Sequence, residues 1–198
     1  MRAIVYDNTC VKTRGRLTPI WATGARLYKG LGRTDAVQGV ASWDEALTWL
    51  GNQREPIDEI QYWGHGKWGL AYVGEDVFDA SALQDRRAQL DAIRERLAPG
   101  ALIWFRTCET LGAKPGMEFA ERLSNYFGAR VAGHTYIIGF NQSGLHGVVP
   151  GARADWSPTE GLAEGTPEQP VRAKWSRPWR PRTVTALSGS VPESWITR

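Results

Sequence analysis

The apolar run Ala101–Phe105 is the feature that most constrains how this chain can fold. An unbroken run of this length and composition is typical of a strand that is buried on both faces of a sheet. The sequence then turns polar through Arg106 and Thr107 to Cys108 and enters a loop rich in Gly and Pro. We therefore expect Cys108 at the carboxyl end of a buried strand, where open α/β sheets place ligands and chemistry.

A second segment has the same design. Ile57–Gly66 is typical of a strand, and it ends with His65 between two glycines. On neighbouring strands, His65 and Cys108 would lie at the same sheet edge, as a nucleophile and its general base do. The N–H groups of Gly66 and Cys108 are candidates to bind a developing oxyanion, and we expect Arg106 to help lower the pKa of the thiol.

Strand-like and helix-like segments alternate along residues 1–150. The other predicted strands are Ala3–Tyr6, Ala25–Tyr28 and Ala36–Val40 (as short strands or a hairpin), Trp68–Val73, Val77–Phe78, Arg130–Gly133 and Tyr136–Phe140. The predicted helices are Trp43–Leu50 with a Ser42/Glu45 capping box, Leu83–Leu97 capped by Ser81, and Met117–Phe127 stopped by Gly128. This order predicts an α/β fold with a mainly parallel central sheet and helices on both faces.

Residues 151–198 differ in character from the rest of the chain, with frequent prolines and a Trp/Arg-rich stretch, WSRPWRPR. We expect residues 1–150 to form one α/β domain and residues 151–198 to be an irregular segment packed on the same domain. The Trp side chains are suited to pin such a segment, since each covers a large apolar area at low entropy cost. Thr183–Leu187 is a candidate edge strand.

Composition narrows the function classes. The formal charge is only +3 and no long basic block occurs, which makes a nucleic-acid partner unlikely on this sequence. Two cysteines, Cys10 and Cys108, do not make a disulfide framework, so cytosolic thiols are the simpler interpretation. We find no signal peptide and no membrane-spanning run, and expect a cytoplasmic protein, with export by a signal-independent route left open.

The motifs, taken in order, resemble the caspase-like clan (clan CD) of cysteine peptidases, with CHAT and related bacterial caspase-like domains most similar. The histidine strand of that clan ends in H-G, as His65-Gly66 does, and its cysteine strand commonly ends in A-C-E-T-G, against C-E-T-L-G here. The following helix of the type G-x-x-F-A-x-x-L and a G-A-x-x-V-A strand also have counterparts, so the resemblance covers Ile57–Gly139.

The resemblance implies a three-layer α/β sandwich, a His65/Cys108 catalytic dyad, an oxyanion hole at Gly66 and Cys108, a protein or peptide substrate, and no cofactor or metal. In this clan the P1 side chain, on the residue whose carbonyl is attacked, binds beside the cysteine. Glu109 and the acidic Asp76 and Asp79 would favour a basic P1 residue. Arg106 and Arg153 would favour an acidic one, and the sequence leaves both open.

A cysteine endopeptidase is thus the leading hypothesis. The alternative is a catalytically silent caspase-like module that binds or regulates a partner, and the basic Trp-rich segment could serve an acidic partner or, less simply, a nucleic acid. A metal site combining His134 and His146 with His65 and Cys108 is a weaker interpretation, because the spacing matches no zinc pattern. Cys10 is expected to be structural.

Overall fold

The computed structural model describes residues 1–11 and 16–198. Within these ranges the strands are β1 (Arg2–Asp7), β2 (Ala36–Val40), β3 (Ile57–Trp63), β4 (His65–Lys67), β5 (Leu70–Val73), β6 (Asp76–Phe78), β7 (Leu97–Arg106), β8 (Arg130–His134), β9 (Asn141–Gln142), β10 (Leu145–Val148), β11 (Leu162–Gly165), β12 (Pro170–Ala173), β13 (Val184–Thr185) and β14 (Ile196–Thr197). The α-helices are α1 (Leu17–Gly30), α2 (Trp43–Gly51), α3 (Ala82–Asp85), α4 (Arg87–Arg94) and α5 (Ala113–Phe127), and a 3₁₀ turn spans Glu193–Trp195.

A seven-stranded sheet in the described part of the chain has the order β14-β10-β8-β7-β3-β1-β2. The strands from β8 to β2 are parallel to their neighbours, whereas β10 runs antiparallel to β8 and β14 pairs with β10 in parallel. The prediction of an α/β fold with a mainly parallel sheet is therefore confirmed. The Ala101–Phe105 run lies in β7 at the centre of the sheet, where parallel strands are buried on both faces.

The two faces of the sheet are covered differently. One face packs against α2, α4 and α5, through a core that includes Trp43, Leu90 and Phe119. The other face carries α1, whose Ala25 and Tyr28 join the core of that side. Beyond α1, that face is covered by the C-terminal segment, which buries Val191 and Ile196 against β7, β8 and β10. No helix in the described ranges is both long and apolar enough to cross a bilayer.

Local sequence signals placed several element ends correctly. Ser42 accepts a hydrogen bond from the Glu45 N–H at 3.2 Å and caps α2, while the Glu45 carboxylate reaches back to the N–H of Ala41. Helix α5 ends at Gly128, which has φ of 62°. Both observations confirm the predicted cap and stop, since a serine N-cap and a left-handed glycine satisfy backbone groups that a helix end leaves unpaired.

Three segments were predicted wrongly. Ala25–Tyr28 lies in α1 and not in a strand; a glycine and threonines weaken the helical pattern there, but Gly24 lets α1 approach the Trp63 ring, which a Cβ would meet at 2.9 Å. The long helix over Leu83–Leu97 is broken into α3 and α4, and Leu97 already belongs to β7, where it pairs with Ile57. Tyr136–Phe140 forms only an isolated bridge to the C-terminal segment.

Other strand boundaries differ from the sequence prediction by a few residues. The histidine strand is divided, because β3 ends at Trp63 and β4 opens a small antiparallel sheet with β5 and β6. The predicted edge strand over Thr183–Leu187 is the short β13, which pairs with β9 outside the central sheet. These differences depend on pairing partners distant in sequence, which local patterns do not specify.

Arg106, the last residue of β7, ties the C-terminal segment to the sheet. Its Nε and Nη2 donate to Gln142 Oε1 at 3.1 and 2.8 Å. Nη1 donates to the Tyr28 hydroxyl at 2.7 Å and to the Ser188 carbonyl at 3.2 Å. Nη2 also donates to the Ala186 carbonyl at 3.1 Å. The buried guanidinium is therefore held by neutral acceptors from several segments, and burial lowers its pKa below the usual value.

Removal of this guanidinium should destabilise the whole chain. Arg106→Ala leaves buried acceptors on Gln142 and on the C-terminal segment unpaired, and we expect the free energy of unfolding to fall by about 3 to 5 kcal/mol. Arg106→Lys, which keeps a charge but not the planar fork of donors, should lose less. Urea denaturation measures both. Arg172→Ala, which breaks an exposed pair with Glu164, is the control and should cost about 0.5 kcal/mol or less; an equal loss in the control and Arg106→Ala would contradict the assignment.

Candidate active site

A cavity of about 420 Å³ lies at the carboxyl ends of β3 and β7, and both His65 and Cys108 line it. Its position follows from the register of the parallel strands. Trp63 pairs with Tyr6 on one side and with Arg106 on the other. His65 lies two residues after Trp63, and Cys108 lies two residues after Arg106. The two side chains therefore reach the same edge of the sheet. The sequence-based expectation that they meet at neighbouring strand ends agrees with this placement.

His65 is exposed and lies between Gly64 and Gly66 at the point where β3 gives way to β4. The backbone is pressed closely against its surroundings here. A Cβ at position 64 would lie 2.2 Å from the Tyr62 hydroxyl, and one at position 66 would lie 2.0 Å from Thr110 Oγ1. A side chain at position 66 would therefore push the chain at His65 away from the cysteine loop, and one at position 64 would clash with Tyr62, which explains the glycine on each side of the histidine.

The imidazole of His65 has two neighbours that the sequence did not indicate. Its Nε2 lies 3.4 Å from Cys10 Sγ, and the Trp21 ring packs edge-on against it, with centroids 5.3 Å apart. Cys10 follows β1 and is buried, and Trp21 lies on α1. A cysteine just beyond the first strand is the only sequence signal that could have suggested the Cys10 contact. The Trp21 contact had no signal, because α1 was not recognised.

Cys108 is partly exposed, and its thiol lies 3.9 Å from the carbonyl oxygen of Ile138. Burial raises the pKa of this thiol to about 11 against the opposing effect of the Ile138 backbone, and the charge of Glu109 raises it further. The expectation that Arg106 would lower the pKa is therefore wrong. Desolvation opposes the thiolate, and the Arg106 guanidinium is turned toward Gln142 and the C-terminal segment.

The loop that carries Cys108 is fixed by hydrogen bonds on both sides. The Thr107 and Thr110 hydroxyls bind each other, and Thr110 Oγ1 also lies 3.1 Å from the Cys108 carbonyl. The Glu109 N–H donates to the Tyr136 carbonyl at 2.9 Å. Glu109 has φ of 32°, a left-handed conformation that is unusual for a non-glycine residue. The cysteine backbone is thus held rigidly beside the Gly66 turn.

Glu109 does not line the cavity. Its side chain is buried, Oε2 has no hydrogen-bond partner among the described residues, and burial raises the pKa of the carboxyl to about 7 against the opposing charge of Lys67. Asp76 is also elsewhere, in β6, where it binds the Trp43 N–H at 2.8 Å and Arg86 at 2.7 Å. Among the predicted substrate-binding residues, only Arg106 is a wall residue of the cavity.

His134 and His146 belong to a separate buried region. His146 Nε2 lies 2.8 Å from Glu160 Oε1, its Nδ1 faces Arg182, and its ring stacks on Trp156. His134 is fully buried, and burial lowers its pKa to about 3. No group of three or more metal-ligating side chains suited to an ion is found among residues 1–11 and 16–198. His146 therefore supports the packing of the C-terminal segment, whereas His134 packs near Trp104 with its Nδ1 3.2 Å from the Ser143 carbonyl oxygen.

Part of the chain matches a known family of proteins. The model of a family described as a domain of unknown function, DUF4347, matches residues 33–149. This range contains the His65 turn, β7 and the cysteine loop, and it stops before the C-terminal segment. Searches of curated proteins and of solved structures find nothing that matches.

The raised pKa of the Cys108 thiol predicts how the resting protein reacts. With a pKa near 11, the thiolate is a minor species at neutral pH and increases as the pH rises. The rate of alkylation by iodoacetamide should therefore climb about tenfold per pH unit from about pH 7 to about pH 10, without levelling off. Mass spectrometry of the Cys108 peptide measures this rate. In urea-unfolded protein the same curve should level off near pH 9, and a plateau below pH 8 in the folded protein would contradict the prediction.

Proposed function

The chain belongs to the DUF4347 family, and from its cavity we propose that this member is a cysteine endopeptidase with a caspase-like sandwich, cleaving protein substrates through His65 and Cys108. The observation that carries the proposal is that both side chains line one cavity at the carboxyl ends of adjacent parallel strands. The layer order supports the fold assignment, with helices on one face of the sheet and α1 with the C-terminal segment on the other.

In the proposed reaction His65 acts as a general base. Because burial keeps the Cys108 thiol protonated at rest, its proton passes to the imidazole as Sγ attacks the substrate carbonyl carbon. The carbonyl oxygen then carries a negative charge. When the tetrahedral intermediate collapses, the C–N bond breaks and the leaving amine takes the proton from the imidazolium. Water, deprotonated by His65, then attacks the thioester and releases the acid and the free thiol.

Gly66 is the proposed donor to the oxyanion, and it is next to the cavity-wall residue His65 without being a wall residue itself. Lys67 and Leu70 pair across a two-residue turn, in which Trp68 and Gly69 have φ of 32° and 82°. In an antiparallel hairpin with a two-residue turn, the pair next to the turn, here Lys67 and Leu70, forms backbone hydrogen bonds to each other. The following pair, Gly66 and Ala71, does not form them. The N–H of Gly66 is therefore directed away from β5, and the N–H of Cys108 is its proposed partner.

His65 must change its partner for this chemistry. In the structure its Nε2 contacts Cys10 Sγ, while the Cys108 thiol contacts the Ile138 carbonyl. An exposed imidazole can change rotamer on the picosecond to nanosecond timescale, and we propose that such a change turns His65 toward Cys108. The two thiols around one base also make Cys10 the natural control for Cys108.

Cysteine variants test the proposal directly. Cys108→Ala and His65→Ala should each lower kcat/KM on a fluorogenic peptide library by about a thousandfold or more, because the nucleophile or its base is absent. Cys10→Ala should keep activity within a few-fold of the native protein. If Cys10→Ala loses activity and Cys108→Ala retains it, the nucleophile is assigned wrongly. Activity that survives in both Cys108→Ala and His65→Ala would refute the dyad.

A second candidate function rests on a different surface. Trp175 and Trp179 are 62% and 75% exposed, and the Arg177 guanidinium lies 5.9 Å from the Trp179 ring centroid. Exposed tryptophans beside cations on one loop are suited to hold an acidic partner. In this alternative the chain is a catalytically silent caspase-like module that binds such a partner.

The binding alternative predicts its own result. Titration with a polyglutamate peptide should change the tryptophan fluorescence, and added salt should weaken the interaction because it depends on charge. The double variant Trp175→Ala/Trp179→Ala should lose binding, whereas Cys108→Ala should bind as the native protein does. Unchanged affinity in the double variant would exclude this surface.

A further inference from the structure

The walls of the cavity beside Cys108 are mainly apolar. They are formed by Leu17, Ile20, Trp21, Leu27, Phe140 and Leu187. Four of these are unusually exposed for large apolar side chains, with 64% for Ile20, 47% for Leu27, 63% for Phe140 and 49% for Leu187. Apolar surface that converges on a concave site marks a place where an apolar group binds. The volume of about 420 Å³ is large enough for a bulky side chain.

The charges at the cavity disfavour an ionised ligand of either sign. Among the described residues that form its wall, none is an aspartate or a glutamate, so a basic side chain would meet only the like charge of Arg106. That guanidinium is itself occupied, since each of its three nitrogens already donates to acceptors of the protein. An acidic side chain would therefore lose its hydration without gaining a free donor, which is costly.

The acidic residues that could serve a basic ligand lie elsewhere. Asp76 is engaged by Arg86 and the Trp43 N–H, and Glu109 is buried outside the cavity wall. Arg153, the other candidate for an acidic ligand, pairs with Glu121 on α5. Apart from Arg106, the residues that suggested a charged preference therefore lie outside the cavity wall.

We propose that this cavity is the P1 subsite and that it selects a large apolar side chain, such as that of leucine, methionine or phenylalanine. The inference rests on the proposed peptidase function, because it takes Cys108 as the attacking group. The cavity contains both Cys108 and His65 in its wall. A side chain bound there therefore places its own carbonyl beside the thiol.

The expected size of the P1 preference follows from the free energy of moving an apolar side chain from water into the cavity. Each methylene that fits such a pocket changes kcat/KM by about 10-fold or more. Peptides with P1 leucine or phenylalanine should thus exceed the matched P1 alanine peptide by at least about 10-fold. P1 aspartate and P1 arginine peptides should fall below P1 alanine.

The test uses the full chain, fluorogenic peptides that differ only at P1, and two charge variants on α1. Ile20→Asp places a carboxylate on the cavity wall, and Thr23→Asp places the same group on the exposed side of the same helix, outside the wall. Ile20→Asp should lower kcat/KM for P1 leucine by about 10-fold and raise the ratio of P1 arginine to P1 leucine cleavage. Thr23→Asp should leave both unchanged.

Peptidyl acyloxymethyl ketones with the same P1 residues label an active cysteine. They therefore test the P1 preference separately from the proposed peptidase activity. Faster Cys108 labelling by P1 leucine than by P1 aspartate or arginine supports both. Cys108-dependent cleavage that prefers a charged P1 residue, or an Ile20→Asp variant with an unchanged profile, overturns the apolar subsite and leaves the peptidase standing. If no peptide is cleaved and no probe labels Cys108, both are overturned.

Discussion

The guanidinium of Arg106 is the group on which the rest of the structure depends. It lies at the end of the central strand β7, 4.4 Å from the Trp104 ring centroid and 5.2 Å from that of Trp63. A buried cation without a carboxylate at contact distance must satisfy its donors with neutral acceptors, and few single elements can supply enough of them. Here they come from α1, β9 and the C-terminal segment. An irregular, proline-rich segment is thereby ordered on the face of the sheet that α1 leaves open.

The same arrangement shapes the cavity. The carbonyl of Ala186 binds Arg106, and Leu187, next in the chain, forms part of the cavity wall. The Tyr28 hydroxyl, which accepts from Arg106, donates toward the carbonyl of Ser188 and so joins α1 to the same segment. The stability of the chain and the shape of the cavity therefore depend on one hydrogen-bond network. From the sequence, Arg106 is a candidate to bind a ligand. In the structure it contributes chiefly by holding the apolar wall of the cavity in place.

Sequence patterns identified the parts of the site that depend on the residues of a single strand and its end. Apolar runs located β3 and β7, and parallel strand ends meet at one edge, so the proximity of His65 and Cys108 could be predicted. The apolar wall could not, because it comes from α1 and from residues near position 187, whose sequences carry no clear period. The charge of the preferred P1 residue could not be decided from the sequence for a related reason. Glu109 follows Cys108 directly, but its side chain is buried outside the cavity wall.

Without a substrate, the arrangement of His65 and Cys108 gives the thiol a low reactivity. A bound substrate would have to change this arrangement. Burial raises the pKa of the Cys108 thiol, and the imidazole that should accept its proton is in contact with Cys10 instead. Trp21 belongs to the cavity wall and also packs against the His65 ring. A side chain that fills the cavity therefore contacts the group that orients the base. In the proposed peptidase, binding energy gained in the apolar subsite would in this way favour the imidazole position needed for proton transfer, which would raise kcat as well as lower KM.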